Sequence, residues 1–383
     1  MGIADKPILL IRNIHLDAFG GAETYQISLA KELKKLGRTP IIVSSSKPLR
    51  RAARHQGIKA IQGCYFPHQN WSGYRNLFLP FYFLWQIAVF LWYLITILRF
   101  RPQALHIQNR DDMIAGTLAG KITGTRVIWT DHSDLRLVIW ENIDKKYKNP
   151  IGKIILKLAK YPYKITTISD YEYNYITKLI APKKLNNFIV VKNGVEDQLS
   201  KYQTIKSTPQ SICHVGRIID YKGIKELIDA FNLISQKYPK AVLNLYGDGP
   251  DLPIFRAYAE KNSKITFHGH TSEPLKALAK NQIFVLASYH EGLSLALLDA
   301  AMMQKAIIAT NIDGNPEIVL NQKTGLLIQP KDEKSLAKAL EILLESPKLA
   351  QKYAAAARKL YQQQYDFSTI VKNKMEPLYY EKS

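Results

Sequence analysis

The stretch from Ile283 to Thr310 limits the fold of this chain more sharply than any other. Ile283-Phe284-Val285-Leu286-Ala287 is an unbroken apolar run of strand length, and Ala306-Ile307-Ile308-Ala309-Thr310 reads as a second strand. Between them Leu293, Leu297, Ala300 and Ala301 recur at helical spacing. Strand, tight loop, helix, strand is the parallel crossover unit, and strands apolar at every position are those buried on both faces. The loop holds a carboxylate, Glu291, and a glycine, Gly292. The helix that follows opens at Leu293-Ser294-Leu295 and carries a second carboxylate, Asp299. A helix start at the end of a parallel strand is a phosphate site, because its first amides have no intrahelical partner and the dipole favours anions. Acids on either side of it suit the hydroxyls of something sugar-like at both ends of a diphosphate.

The rest of the chain has to supply a second ligand wall, and its length allows one. At 383 residues two domains are expected, and 46% apolar with 22% charged residues is a globular balance. Cys64 and Cys213 are the two cysteines, too far apart in sequence for a metal-ligand spacing. The start, Met1 to Lys6, runs into a strand pattern without the regions of a signal peptide, so a cytoplasmic location is expected.

The net charge of +21 is uneven. Residues 1–199 hold 29 Lys+Arg against 14 Asp+Glu, or +15, and residues 200–383 hold 24 against 18, or +6. Such an excess points to an anionic partner. No zinc-ligand pairs or RNA-binding motif accompany it, which turns the expectation from nucleic acid to an acidic membrane surface.

Taken in order, Lys6–Arg12 is a short apolar strand, followed by Phe19-Gly20-Gly21-Ala22-Glu23 and a helix with Ile27, Leu29, Leu33 and Leu36 on one face. Further strands begin at Pro40, Ile58, Ala104, Arg126, Lys164 and Phe188, with helical patterns at 111–123, 149–160 and 169–180. A second alternation has strands at 212–215, 241–245, 265–267, 283–287, 306–310 and 325–328, then helices at 335–344, 347–365 and 367–380. The prediction is two doubly wound domains, 1–198 and 199–365, with a terminal helix in 366–383. A ligand is expected in a cleft between two such sheets.

Leu77 to Leu98 contains no charged residue and is bounded by Arg75, Arg99 and Arg101. By length it could cross a bilayer, but the strands before and after it belong to one sheet. Pro80 suits a first helical turn, and seven aromatics follow between Phe81 and Tyr93. Apolar nearly all round, this helix is expected to lie in the interface of an anionic membrane rather than to span it.

Val215-Gly216-Arg217-Ile218-Ile219-Asp220-Tyr221-Lys222-Gly223 and Leu245-Tyr246-Gly247-Asp248-Gly249-Pro250 resemble segments of the family 4 retaining glycosyltransferases. So does Glu291…Asp299, which is similar to that family's pair of glutamates eight positions apart, and Gly314–Val319 with Thr324–Leu327 continues the match. Gly20–Glu23 and Asp131-His132 fit the same pattern in the first half. The resemblance implies a GT-B fold of two Rossmann-like domains whose last helix crosses back to the first. It also implies retaining transfer from a UDP- or GDP-linked sugar to a lipid-linked or polysaccharide acceptor.

Carried over residue by residue, the resemblance gives Glu291 the hydroxyls of the transferred sugar, Asp299 the ribose, and His132 a place opposite the sugar. Gly21, Gly249 and the Gly292–Leu295 amides join the donor site. Arg217 and Lys222 are two cations for the diphosphate, so no metal or other cofactor is expected. Aspartate at 299 departs from the usual glutamate and is one methylene shorter. Two other readings fit the same fold: a nucleotide-sugar epimerase, and an inactive partner subunit.

Overall fold

The computed structural model describes residues 6–13, 20–64, 79–132, 150–179 and 186–380. Phe19, Leu77, Phe78 and the helix ends expected at Asn149 and Ile180 lie outside them. The chain divides into two compact units, Met1–Lys192 with Ser368–Ser383, and Asn193–Phe367.

The first unit is built on a seven-stranded parallel sheet in the order β3-β2-β1-β4-β5-β6-β7. Its strands are β1 (Ile8–Ile11), β2 (Pro40–Ser44), β3 (Lys59–Gln62), β4 (Ala104–Ile107), β5 (Arg126–Asp131), β6 (Lys164–Thr167) and β7 (Phe188–Val190). β1 is central, with Ile8 facing Pro40 on one side and Ala104 on the other, and all four of its residues are fully buried. That is why its sequence shows no polar alternation. Helices α1 (Gly21–Lys35), α2 (Lys47–His55), α3 (Leu79–Phe100) and α4 (Met113–Thr123) connect the strands, with later helices at Pro150–Leu158 and Asp170–Leu179. The order reverses between β1 and β4, the switch point where loops on the carboxyl edge of such a sheet diverge.

The helix expected at 367–380 is real but interrupted. Phe367–Ile370 and Glu376–Tyr380 are α-helical, and Val371–Met375 between them is a π-helical turn. From Ser368 on it packs in the first unit. Arg38 Nε donates to Glu376 at 2.8 Å, Gln103 Nε2 to the Tyr379 carbonyl at 2.9 Å and Arg126 to that of Leu378 at 3.0 Å. Tyr379 itself is fully buried, its hydroxyl 2.7 Å from His106 Nδ1.

Helix α3 turns two different faces to its surroundings. Tyr82, Gln86, Val89, Tyr93, Thr96 and Ile97 recur every three or four residues and are buried. The opposite face exposes Phe81, Leu84, Trp85, Ile87, Leu91, Ile95 and Leu98, with Leu98 70% exposed. The helix therefore has two faces, which an all-apolar sequence conceals. Its buried face holds the polar groups, and Tyr93 donates to Asp112 Oδ1 at 2.6 Å. This is the reverse of an ordinary surface helix.

The second unit carries a six-stranded parallel sheet in the order β10-β9-β8-β11-β12-β13. Its strands are β8 (Ser211–Val215), β9 (Val242–Tyr246), β10 (Ile265–Gly269), β11 (Ile283–Leu286), β12 (Ala306–Thr310) and β13 (Leu326–Ile328). Ile283 faces Ala306 on one side and Ile212 on the other, so β8 and β11 meet at this sheet's switch point. Residues 193–198, expected in the first domain, and 366–367, expected in the terminal segment, belong to this unit. Arg358 pairs with Asp197, the Gln198 amide reaches Met302 Sδ, and Val195 bridges Asp366.

Candidate active site

The loops that follow β8 and β11 lie side by side at the carboxyl edge of the second sheet, and the expected donor residues come from these two loops and their neighbours. After β8 the chain runs through Gly216 and Arg217 to a 3₁₀ turn, Asp220–Lys222, and enters the helix Ile224–Ile234 through Gly223. Gly223 has φ +65°, and a Cβ there would lie 2.1 Å from the Ala287 carbonyl oxygen. Only glycine lets the two loops close on each other at this point. The Tyr289 amide then donates to the Tyr221 carbonyl at 2.8 Å, and the Tyr289 hydroxyl to Glu226 at 2.5 Å, which ties the loops together.

Lys222 and Glu291 meet in this junction. Lys222 Nζ lies 2.6 Å from Glu291 Oε1, with the two side chains 16% and 10% exposed. Ser288 Oγ donates to the same oxygen at 2.7 Å, and the Glu291 amide donates to Asp313 Oδ2 at 2.9 Å. The carboxylate is thus gripped by a cation, a hydroxyl and its own anchored backbone. Arg217, exposed on the β8 loop, donates to the Tyr221 hydroxyl at 2.7 Å. One loop therefore presents two cations, and the other presents an acid that already neutralises one of them.

The helix Leu295–Met302 starts beside the acid. Ser294 is its N-cap and accepts from the Leu297 amide, while Leu293 is buried and Gly292 and Leu295 are partly exposed. Its first amides are the unsatisfied donors of a helix start. Asp299 follows at the second turn, half-buried. Burial, with no hydrogen bond or cation among the described residues to offset it, pushes its carboxyl up to about 7. An acid in that state gains from any hydroxyl that donates to it. Gly249 completes this edge, because a Cβ there would lie 2.2 Å from the Ile218 carbonyl oxygen.

The first unit holds the other expected residues at its own carboxyl edge. Gly21 is the exposed first residue of α1, and Glu23 closes the helix start by accepting from the Gly20 amide at 2.8 Å and from Arg12 Nε at 2.7 Å. His132 follows β5, its ring edge-on to Tyr25 with centroids 4.9 Å apart. Its Nε2 is buried without a partner among the described residues. Burial first, then the charge of Arg12 and the nearness of the His106 ring, lower its pKa to about 3, so the imidazole is neutral at physiological pH.

Sequence reasoning passed over Ser288, Asp313, Tyr289, Glu226 and Tyr25. Each contacts a site residue across a long sequence interval or carries no motif of its own. Asp313, at φ +43°, is the one with a local oddity, and Asp313-Gly314 is a turn signal that marks it.

The model of the family described as Glycosyltransferase Family 4 matches residues 19–199, and that of Glycosyl transferases group 1 matches residues 195–360. This chain belongs to the family 4 glycosyltransferases. Among curated relatives, glycogen synthase of Mycobacterium tuberculosis is 30% identical over 213 residues, 54% of this chain and 51% of that protein. The capsular polysaccharide biosynthesis glycosyltransferase CapM of Staphylococcus aureus is 26% identical over 204 residues, 51% of this chain and 52% of that one. The chain thus spans about half the length of these relatives. The Anabaena HepE structure in complex with UDP superimposes with a TM-score of 0.78 at 17% identity, covering 97% of this chain and 99% of HepE. That agreement is one of fold, and the fold of this glycosyltransferase is GT-B.

Proposed function

We propose that this glycosyltransferase moves a sugar, with retention of configuration, from a UDP- or GDP-linked donor to a lipid-linked or polysaccharide acceptor at the cytoplasmic face of a membrane. The observation that carries the reading is the Lys222–Glu291 contact at the switch point of the second sheet, next to a helix start and with Arg217 on the same loop. In this reading the diphosphate lies against the two cations and the Gly292–Leu295 amides. Glu291 accepts from hydroxyls of the sugar, and Asp299 from those of the ribose. The bond between the anomeric carbon and the phosphate oxygen breaks, and the acceptor oxygen bonds to the same face of that carbon. The acceptor proton passes to the departing phosphate oxygen. Arg217 and Lys222 take up the charge the leaving group gains, so transfer proceeds without a metal. His132, a neutral imidazole, supplies a hydrogen-bonding nitrogen rather than a charge.

The outer face of α3 and the +15 of residues 1–199 support a membrane-bound acceptor, and the likeness to a capsular polysaccharide enzyme supports a glycan. Incubation with radiolabelled nucleotide sugars and membrane lipids tests the reading. Transfer of label into a lipid or polymer fraction is expected. Absence of transfer from every donor, together with no binding of any nucleoside diphosphate, overturns it.

A further inference from the structure

A groove of about 690 Å³ on the first unit takes no part in this chemistry. It is lined where Lys6 leads into β1, where Gln103 leads into β4 and where Arg126 opens β5. It therefore sits at the amino edge of the sheet, whereas His132 follows β5 at the carboxyl edge. Lys6, Arg101, Lys121 and Arg126 line it, and no acid does among the described residues. The C-terminal ends of α3 and α4 also reach it, at Leu98 and Thr123. Each helix end attracts cations with roughly half a unit of charge, so two ends account for about one cation and leave the rest unexplained.

The rim is apolar. Ile97 and Leu98 from α3 and Val127 from β5 line it, and Leu98 is 70% exposed. Aromatic rings back the cations: Lys121 Nζ is 3.7 Å from the centroid of Tyr161, and the Arg126 guanidinium 4.1 Å from that of Tyr163. Cations over tyrosine rings, with an exposed aliphatic side chain beside them, match the boundary between lipid headgroups and chains.

We propose that this groove holds the phosphate of an acidic phospholipid, whose acyl chains run out along Leu98 and Ile95 on the outer face of α3. The inference rests on the membrane reading of α3 and adds a defined headgroup site, separate from the reaction edge. A free phosphate would satisfy the cations but leave Leu98 in water. The lipid satisfies both, which is why it is the occupant. Arg126, engaged with the Leu378 carbonyl and Tyr163, forms the fixed floor, while Arg101 and Lys121 are the exposed arms.

The test uses the full chain and flotation with phosphatidylcholine vesicles, with and without phosphatidylglycerol. Neutralising Arg101→Gln with Lys121→Gln is compared with Lys348→Gln plus Lys352→Gln, which removes the same two charges from an exposed helix face of the second unit. About fivefold per basic residue predicts roughly a 30-fold loss of phosphatidylglycerol-dependent binding for the groove pair. The control pair is expected to lose little. Equal loss in both pairs, or none in the groove pair, overturns the site while leaving the membrane reading intact. Loss of binding to every vesicle on Trp85→Ser with Trp92→Ser supports that reading independently, and no vesicle binding by the unaltered protein sinks both. In a second arm, dihexanoyl phosphatidylglycerol raises the melting temperature of the parent and not of the groove pair. Glycerol phosphate raising it equally means a site for free phosphate, and the lipid assignment falls.

Discussion

Replacing Glu291 by glutamine is expected to tighten nucleoside diphosphate binding while abolishing most transfer. Glu291 Oε1 sits 2.6 Å from Lys222 Nζ, so in the empty site the acid already occupies the cation that a diphosphate needs. A phosphate oxygen hydrogen-bonded to the same ammonium comes within about 5 Å of that carboxylate, given ~2.8 Å for the charge-assisted bond. At an effective dielectric near 20, two negative charges at that distance repel by about 3 kcal/mol. Solvent at a site 10–16% exposed reduces this, so a gain of about 1–2 kcal/mol, or five- to thirtyfold, is the working figure. Glutamine keeps the bond from Ser288 and removes only the charge. Lys222→Met acts in the opposite direction and weakens the same ligand by about 1.5–3 kcal/mol, the range for a hydrogen bond to a charged group. Isothermal titration with whichever of UDP, GDP, ADP and CDP gives the largest thermal shift measures both. If Glu291→Gln weakens the diphosphate as Lys222→Met does, the carboxylate does not compete for the cation and the reasoning is wrong. Turnover separates the roles further, since both variants lose transfer while their affinities diverge.

Other outcomes follow from the geometry. If Asp299, its carboxyl pushed up to about 7, holds the ribose as proposed, it accepts those hydroxyls more strongly once ionised, so diphosphate affinity rises between pH 6 and 8 and Asp299→Asn flattens that rise, as titrations at each pH will show. The raised pKa penalises the charged folded state, so stability falls as pH climbs from about 4 through 7. Asp299→Asn accordingly melts higher than the parent at pH 8 and equally at pH 4. His132, His106 and His214 are held neutral by burial, at about 3, 3 and 4, so stability is lost as pH drops below 6.5, a slope of at most ~1.4 kcal/mol per pH unit for each and visible in acid denaturation. Gly223→Ala, with φ +65° and a Cβ 2.1 Å from the Ala287 carbonyl, costs several kcal/mol on the scale of strained backbone plus overpacking, read as a lowered midpoint in urea with transfer lost. Chelation with EDTA leaves transfer unchanged, and a loss restored by Mg²⁺ refutes the two-cation account.

The strands were readable because parallel strands are buried on both faces. Ile8–Ile11 and Ile283–Leu286 stand out as pure apolar runs and occupy those same residues in the structure. Short helices with little apolar content did not stand out. α2 buries Leu49, Arg50 and Ala53 alone, and its signals are the Ser46 cap and Pro48 rather than a hydrophobic period. In the site, Arg217, Lys222 and Glu291 were visible as motif residues, but their pairing was not. Glu291 and Lys222 are 69 positions apart, and their contact depends on β11 lying against β8. Tyr25 meets His132 only through such proximity, and no local pattern announces it, whereas Asp313 carried a turn signal that did not reveal its partner. The two faces of α3 were hidden for a different reason: a sequence apolar all round has no moment, and only the packing of Tyr82, Gln86 and Tyr93 shows which side turns inward.

The π-interrupted helix that ends the described chain belongs to the first unit, yet the ribosome makes it only after residues 193–367. Until then Arg38, Gln103 and Arg126, the partners of Glu376, Tyr379 and Leu378, wait unfilled, and His106 has a bare ring nitrogen where the tyrosine hydroxyl will sit. The uninterrupted second unit therefore has every residue it needs before the first one does. Synthesis order makes the first unit the last to finish folding, and leaves a chain cut short at its end with a complete second unit and an unsealed first one.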